Sequence, residues 1–246
     1  MRLGVFGGLG RLGTKIVDLA KNYNNIDEIY VMDLKQKEQS IKIFKDFILK
    51  CDGIIDVSGA QGTKCLLDTF LDYGSQCDPK LLKKFLVIGS TGHTLGVQEM
   101  VSNIIGFCSV LYAPNASLSL WNFLRSIVLL AQTLGPDWDV HVHDHHHKFK
   151  KDAPSGTALY FIQHLESACP WLKQKIQWSS IRGGIGVILN SVIFSGNCEV
   201  IQCTHQVMDT YVFAKGLLDM ALWIQNCEAG YYDVQQYLLS LKVNFA

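Results

Sequence analysis

The chain has no excess of charge of either sign: 22 Lys+Arg stand against 22 Asp+Glu in 246 residues. That balance excludes a global basic field for nucleic acid, and Lys148, Lys150 and Lys151 form too short a cluster to replace one. A polyanionic cofactor needs only a local site and stays open. Long apolar runs are missing as well. Phe123–Leu134 is too short to span a bilayer, so no membrane partner is expected. There is no secretory signal pattern, and the N-terminus reads as mature. Eight cysteines are present (Cys51, Cys65, Cys77, Cys108, Cys169, Cys198, Cys203, Cys227), yet none forms a CxxC pair and several lie in apolar runs. They read as reduced, mostly buried thiols in a cytoplasmic protein. No internal repeat is visible. What the chain does have is 48% hydrophobic and 11% aromatic residues, enough for a well-packed core in one large or two modest domains.

Arg2–Phe6 is a short buried-strand pattern, followed at once by Gly7-Gly8-Leu9-Gly10-Arg11-Leu12-Gly13 and a helical pattern over Thr14–Tyr23. Glycines at 7, 10 and 13 allow a tight turn and a close backbone approach to a pyrophosphate, which the helix N-terminus then stabilises. Arg11 either reaches a phosphate or is a solvated helix residue. The next strand, Glu28–Met32, ends at Asp33, placed where an acidic residue bonds the ribose hydroxyls of NAD. Lys35 nearby can accommodate a 2′-phosphate, so NADH is favoured over NADPH without excluding it.

Glu38–Lys50 reads as a helix, Cys51–Val57 as a strand, Ser58–Gly62 as a loop and Thr63–Tyr73 as a helix. A lysine-bearing connection over 74–84 leads to strand Phe85–Ile88, the turn Gly89-Ser90-Thr91-Gly92-His93, helix 95–105 and a strand near 107–111. This strand–loop–helix rhythm predicts a parallel sheet, with the small-residue loops at its carboxyl edge, where ligands bind. His93 either touches ligand or is a hydrogen-bonded surface histidine. Tyr112–Ser117 marks a boundary. Helix 118–134, helix 155–168, and strands at 176–181, 188–194 and 198–204 follow, then helical segments at 210–227 and 231–239.

The unusual chemistry lies in 141–160. Asp139-Val140-His141-Val142-His143 alternates like a strand, with Val140 and Val142 on one face, before a cationic loop and the turn Pro154-Ser155-Gly156-Thr157. Histidine titrates near neutrality and lysine supplies charge or a proton, so His146, His147 and Lys150 are the first candidates for catalysis. Ser155, Gly156 and Thr157 can grip a carboxylate at the helix start; ordinary N-capping is the alternative for the two hydroxyls. His141 and His143 read as polar residues on a sheet face. Clustered histidines with Asp144 also suit zinc, but no HExxH occurs and no metal is needed to explain them. The combination fits a small anionic substrate that gains or loses a proton.

The run His146-His147-Lys148-Phe149-Lys150-Lys151-Asp152-Ala153-Pro154-Ser155-Gly156-Thr157-Ala158 is similar to the HHxxKxDAPSGTA signature of the 4-hydroxy-tetrahydrodipicolinate (dihydrodipicolinate) reductase family of lysine and diaminopimelate synthesis. The glycine turn and Gly89-Ser90-Thr91-Gly92 also resemble that family's phosphate loop and GTTG turn. The resemblance implies an α/β protein. A Rossmann-like nucleotide-binding domain (1–112 and 211–246) would accompany an α+β substrate and oligomerisation domain (113–210) with a mixed, largely antiparallel sheet. It implies NADH- or NADPH-dependent reduction of a small dicarboxylate by a homotetramer. His146 becomes the proton donor/acceptor, Lys150 the general acid and His147 a substrate contact, with Gly156 and Thr157 on a carboxylate. The cofactor set becomes Gly7, Gly10, Arg11, Leu12, Gly13, Asp33, Ser58, Gly89, Ser90, Thr91, Ala113 and Asn115.

The sequence departs from the family pattern in places. Val57-Ser58-Gly59-Ala60 stands for Phe-Thr-x-Pro and Ser119-Leu120-Trp121 for Gly-Val-Asn. Asn190 stands where a histidine is common, Thr210 replaces an arginine, and 34–50 is short. These imply altered nicotinamide packing or slower turnover. A related reductase with another substrate, or a non-catalytic nucleotide-binding scaffold, are the competing readings.

Overall fold

The computed structural model describes residues 1–34, 41–74, 84–93 and 96–241. Lys35, the first residues of the expected helix 38–50, most of the 74–84 connection, Cys77 and the start of the expected helix 95–105 lie outside the described residues. The chain forms two units, Met1–Ala116 with Tyr211–Ala246, and Ser117–Thr210.

The first unit opens with β1 (Arg2–Phe6), α1 (Arg11–Ala20), β2 (Glu28–Met32), α2 (Ile41–Lys50), β3 (Gly53–Asp56), α3 (Ala60–Gly74), β4 (Lys84–Ile88), α4 (Val97–Val101) and β5 (Cys108–Tyr112). β3 and β4 are buried along their whole length, as strands covered on both faces must be, which explains their continuous apolar runs. β2 pairs with one edge of β1 and β3 with the other, all parallel. The strand order therefore reverses between β1 and β3, and the carboxyl ends of these two strands form the switch point where open α/β sheets bind ligands. The single charged residue within β4, Lys84, donates through Nζ to Leu49 O at 3.5 Å and to Cys51 O, holding the end of α2. Burial pushes its pKa down.

The second unit comprises α5 (Leu118–Leu134), β6 (Asp139–His146), α6 (Gly156–Ala168), β7 (Gln177–Arg182), β8 (Ile188–Ser195) and β9 (Val200–Gln206). Its sheet has the order β7-β6-β8-β9. β6 and β7 run parallel across the α6 crossover, whereas β6–β8 and β8–β9 are antiparallel. The expected mixed, largely antiparallel sheet is thus present. Ser117 caps α5, its Oγ accepting from Leu120 N, and Gly135 closes that helix at φ +81°.

The chain then returns to the first unit with α7 (Tyr211–Ile224), β10 (Gly230–Asp233) and α8 (Val234–Ser240). α7 lies so close that a Cβ on Gly216 would stand 1.8 Å from Ala116 O, and Tyr23 Oη donates to Asp219 at 3.2 Å. β10 joins β5 in parallel, completing a six-stranded sheet of order β10-β5-β4-β3-β1-β2.

Boundaries shift at several elements, α1 lying at 11–20 rather than 14–23 and β9 at 200–206 rather than 198–204, and three of the differences have a visible cause. The helix expected over 231–239 begins only at Val234, where Asp233 and Gln236 form a capping box; Tyr231 and Tyr232 instead satisfy the open edge of β5. α3 starts at Ala60, so the loop expected over 58–62 shrinks to three residues between β3 and α3. The strand expected to end at His143 runs to His146, because β7 and β8 pair with it as far as Arg182 and Ile188.

Candidate active site

In the first unit, the residues after β1 are shaped by steric necessity. Gly7 has φ +83°, and a Cβ there would stand 2.7 Å from Ser58 N and Cα. A Cβ on Gly13 would lie 2.2 Å from Gly7 O. Gly7 N donates to Met32 O at 2.8 Å and Gly10 N to Gly7 O at 3.0 Å, closing the turn against the end of β2. Gly10 is the N-cap of α1 and brings no side chain to the first helical amides, which leaves the positive helix end to an anion. Leu12 is half-buried behind this turn and Arg11 is exposed. Asp33 is buried just beyond β2. The loops after β3 and β4 carry Gly59 (φ +92°) and Gly92 (φ +82°), each with open space where a Cβ would be. Ala113 is buried, its N donating to Ile88 O at 2.8 Å, and Asn115 follows, half-buried. A cradle of this shape, closed by glycines and floored by backbone, fits a dinucleotide.

Two serines in the expected cofactor set turn inward. Ser58 N and Oγ and Ser90 Oγ all donate to the carboxylate of Asp56, so these residues offer a ligand mainly backbone. Gly89 is half-buried and Thr91 exposed. His93 sits on Ser90 and edge-on to Tyr112.

In the second unit, β6 buries Val140, Val142, Asp144 and His146 on one face. The other face carries His141 and His143, both hydrogen-bonded to Ser179 Oγ at 2.8 and 2.9 Å. His146 Nδ1 lies 2.8 Å from Asp144 Oδ2. Asp144 is fully buried and also receives Arg182 Nη1 at 2.8 Å, Ser155 N at 3.5 Å and the Ser180 hydroxyl. Burial alone would raise the Asp144 carboxyl, but the hydrogen bonds from Ser180, Arg182 and His146 outweigh it and the net direction is down. His146 is pushed down as well, chiefly by burial, with Lys150 adding to the effect and Asp144 opposing it. At neutral pH its ring is therefore neutral. A carboxylate can only accept, so Nδ1 holds the hydrogen and Nε2 keeps a free lone pair. That is an oriented proton acceptor.

Lys150 Nζ lies 2.9 Å from Asp152 Oδ1, and the loop carrying both is braced by Arg182, whose Nε and Nη2 donate to Asp152 O at 3.2 and 2.6 Å. One arginine thus ties the Asp144–His146 pair to the Lys150 loop. His147 is half-buried with Nδ1 unpartnered among the described residues. Ser155 caps α6, its Oγ accepting from Ala158 N at 3.2 Å; its hydroxyl follows the capping alternative. Gly156 is exposed and Thr157 half-buried at the same helix start. Sequence reasoning missed Asp144 as the orienter of His146 and Arg182 as the brace. Period-two alternation continued through 146 would have found Asp144. No local signal marks Arg182.

Of the departures from the family pattern, Asn190 lies on this same sheet, in β8. Asn190 pairs in register with Asp144 on one side and His205 on the other, and its Oδ1 is buried without a partner among the described residues. His205 Nε2 lies 3.1 Å from Ser119 Oγ. Trp121 packs edge-on against Tyr160 with centroids 5.0 Å apart. Thr210 is half-buried.

These features define a two-unit α/β protein, with a dinucleotide-type glycine turn in one unit and a buried Asp144–His146 pair beside the Lys150 loop in the other. The family model for the C-terminus of dihydrodipicolinate reductase matches residues 121–238. Curated relatives include 4-hydroxy-tetrahydrodipicolinate reductases from Helicobacter hepaticus, 30% identical over 97% of this chain and 99% of the relative, and from Campylobacter hominis, 30% identical over 96% of each. The chain belongs to the 4-hydroxy-tetrahydrodipicolinate reductase family. A solved dipicolinate-bound dihydrodipicolinate reductase from Paenisporosarcina sp. TG-14 shares the fold, with a TM-score of 0.69 at 19% identity over 95% of this chain and 97% of that one.

Proposed function

We propose that this protein reduces 4-hydroxy-tetrahydrodipicolinate to tetrahydrodipicolinate with a reduced pyridine nucleotide, in lysine and diaminopimelate biosynthesis. The observation that carries the reading is the carboxylate-oriented His146 on the strand that feeds the Lys150 loop, within a chain of this family. The 4-hydroxyl of the substrate leaves as water, and the nucleotide, when bound, supplies hydride to the conjugated C=C–C=N system that results, with one proton from the site completing the balance. The unit of 1–116 and 211–246 acts as the dinucleotide domain, with the glycine turn and the α1 amides on the pyrophosphate. The 117–210 unit acts as the substrate domain: Lys150 carries the proton, Nε2 of His146 accepts or relays it, and His147, Gly156 and Thr157 hold the substrate's carboxylates. The dipicolinate in the solved neighbour supports a small dicarboxylate substrate.

The coupled assay that condenses aspartate semialdehyde with pyruvate, followed with NADH and NADPH in turn, tests this directly. Consumption of at least one is expected; binding of both without consumption of either would end the enzyme assignment. Asp33 favours NADH, its carboxylate suiting ribose hydroxyls and repelling a 2′-phosphate. Asp33→Ala is expected to weaken NADH more than NADPH, and an unchanged ratio would refute that role.

We further read the protein as a cytoplasmic homotetramer. All seven described cysteines are free thiols, which suits a reducing compartment; cell fractionation checks this. One face of the β7-β6-β8-β9 sheet exposes Ile181 and leaves His143, Leu189 and Ile193 partly covered, which supports a shared sheet between copies. Sedimentation equilibrium is expected to give four chains, and a monomer mass at assay concentrations would refute it.

A further inference from the structure

A second buried polar cluster sits in the first unit, at the carboxyl ends of β3 and β4. Asp56 ends β3 and is fully buried. Its Oδ1 accepts from Ser58 N at 2.9 Å and Ser58 Oγ at 2.5 Å. Its Oδ2 accepts from Thr63 Oγ1 at 2.5 Å and Ser90 Oγ at 3.3 Å. Thr63 and Ser90 also bond to each other. Ser90 passes the network on to His93, whose Nε2 lies 3.0 Å from Ser90 O and 3.2 Å from Ser90 Oγ. A carbonyl only accepts, so Nε2 carries the hydrogen. Nδ1 of that ring is buried with no partner among the described residues.

A buried carboxylate is an expensive way to fill a strand end, since burial disfavours its charged form and apolar residues pack there at no such cost. Burial does push the Asp56 carboxyl up, against the opposing pull of the Ser58, Thr63 and Ser90 hydrogen bonds. What the carboxylate does, and an apolar side chain does not, is hold three separate pieces of chain together. These are the backbone of Ser58, the first turn of α3 through Thr63, and the loop after β4 through Ser90. The glycine turn rests on the same assembly, because Gly7 approaches Ser58 too closely for any side chain between them. The two tethered loops also carry Gly59 and Gly92, whose Cβ positions open onto free space. They flank the switch point, where the far end of a dinucleotide lying on the glycine turn would pass.

We propose that Asp56 is a positioning residue for the nicotinamide half of the cofactor, holding loops 57–59 and 89–93, through Ser58, Thr63 and Ser90, in the arrangement that receives the ring. This rests on the pyridine-nucleotide reading above. Asp56 does not touch the ring. It spends the hydroxyls of Ser58 and Ser90 on itself, so that the loops present backbone to the cofactor at a fixed spacing.

The test compares ligands with and without the ring. Full-length wild type, Asp56→Asn, Ser90→Ala, Thr63→Val and Thr63→Ser are titrated with whichever reduced nucleotide binds wild type more tightly, and with ADP-ribose, which keeps the adenosine and pyrophosphate but lacks nicotinamide. Asp56→Asn preserves shape but replaces one acceptor oxygen by a donor. Its Kd for the reduced nucleotide is expected to rise about tenfold, the scale of losing a charge-assisted hydrogen bond, while its Kd for ADP-ribose stays put and KM for the nucleotide rises more than kcat falls. Ser90→Ala and Thr63→Val are expected to follow in the same direction, with Thr63→Ser restoring wild-type binding. If Asp56→Asn does not fold, the Thr63 pair decides. Equal weakening of both ligands, or lower thermal stability with no change in either affinity, would reduce Asp56 to a structural role and overturn the proposal. A wild type that binds ADP-ribose but neither reduced nucleotide would overturn the pyridine-nucleotide reading first, and the proposal with it.

Discussion

Lys150→Ala is expected to lower kcat by about a hundred- to ten-thousand-fold, the range over which a positioned proton donor accelerates a reaction, while leaving nucleotide affinity and the unfolding midpoint in place. The separation follows from where Lys150 sits. Its ammonium contacts the partly exposed Asp152 carboxylate at 2.9 Å, and a pair this accessible to water contributes little to stability. Deleting it therefore removes a proton source without loosening the fold. Nor does Lys150 belong to the unit that carries the glycine turn, so nucleotide binding is not expected to respond. Lys150→Arg sharpens the test: arginine retains the charge but does not release a proton at working pH. If charge alone mattered, Arg would rescue; if proton transfer matters, it will not. Single-turnover kinetics, with nucleotide binding measured separately by fluorescence, distinguishes these. A loss of nucleotide affinity matching the loss of turnover would sink the general-acid role.

Asp144→Asn is expected to damage both stability and turnover. The carboxylate is fully buried and faces Arg182, whose side chain is only 17% exposed. Neutralising it leaves the guanidinium without its counter-charge, at a cost of about 3 kcal/mol. It also frees His146 to adopt the tautomer with hydrogen on Nε2, since an amide can donate as well as accept. Turnover is then expected to fall by at least about a hundredfold, as when the orienting carboxylate of another catalytic histidine is replaced. The pH dependence has a definite sign. Asp144 titrates below its ordinary value of 3.8 when folded, so its contribution is fully present above that value and is lost as pH falls through the folded pKa. The stability gap between wild type and Asp144→Asn therefore persists through neutral pH and closes in acid. Urea unfolding at several pH values measures the gap, and imidazole nitrogen shifts report the tautomer of His146. An unchanged midpoint together with unchanged kcat would remove Asp144 from this role.

Much of this chain was legible because its local requirements are steric or periodic. Gly7 and Gly13 could be named in advance because no other residue fits a turn that folds back on its own carbonyl. The apolar runs of β1, β3 and β4 read as strands of a parallel sheet. Helix 118–134 was bounded on both sides, by Ser117 and Gly135, and forms as expected. The order of charges from His146 to Asp152 pointed to proton transfer before any geometry was available.

Other features depended on partners far along the chain. β6 continues through His146 because β7 and β8 offer hydrogen bonds there, against the appearance of a polar histidine loop. Gly230–Asp233 becomes a strand because β5 leaves an edge to fill. Asp56 was only one residue of the strand expected over 51–57 until Ser58, Thr63 and Ser90 closed around it. Residue types and their order, by themselves, determined the glycine turn, the alternation of strand and helix, and the candidates for proton transfer. Tertiary structure decided which face each histidine takes, which nitrogen of His146 keeps its lone pair, and which buried carboxylate holds which loop. Those outcomes are set by hydrogen bonds between residues distant in sequence, and such bonds leave no periodic trace in the order of amino acids.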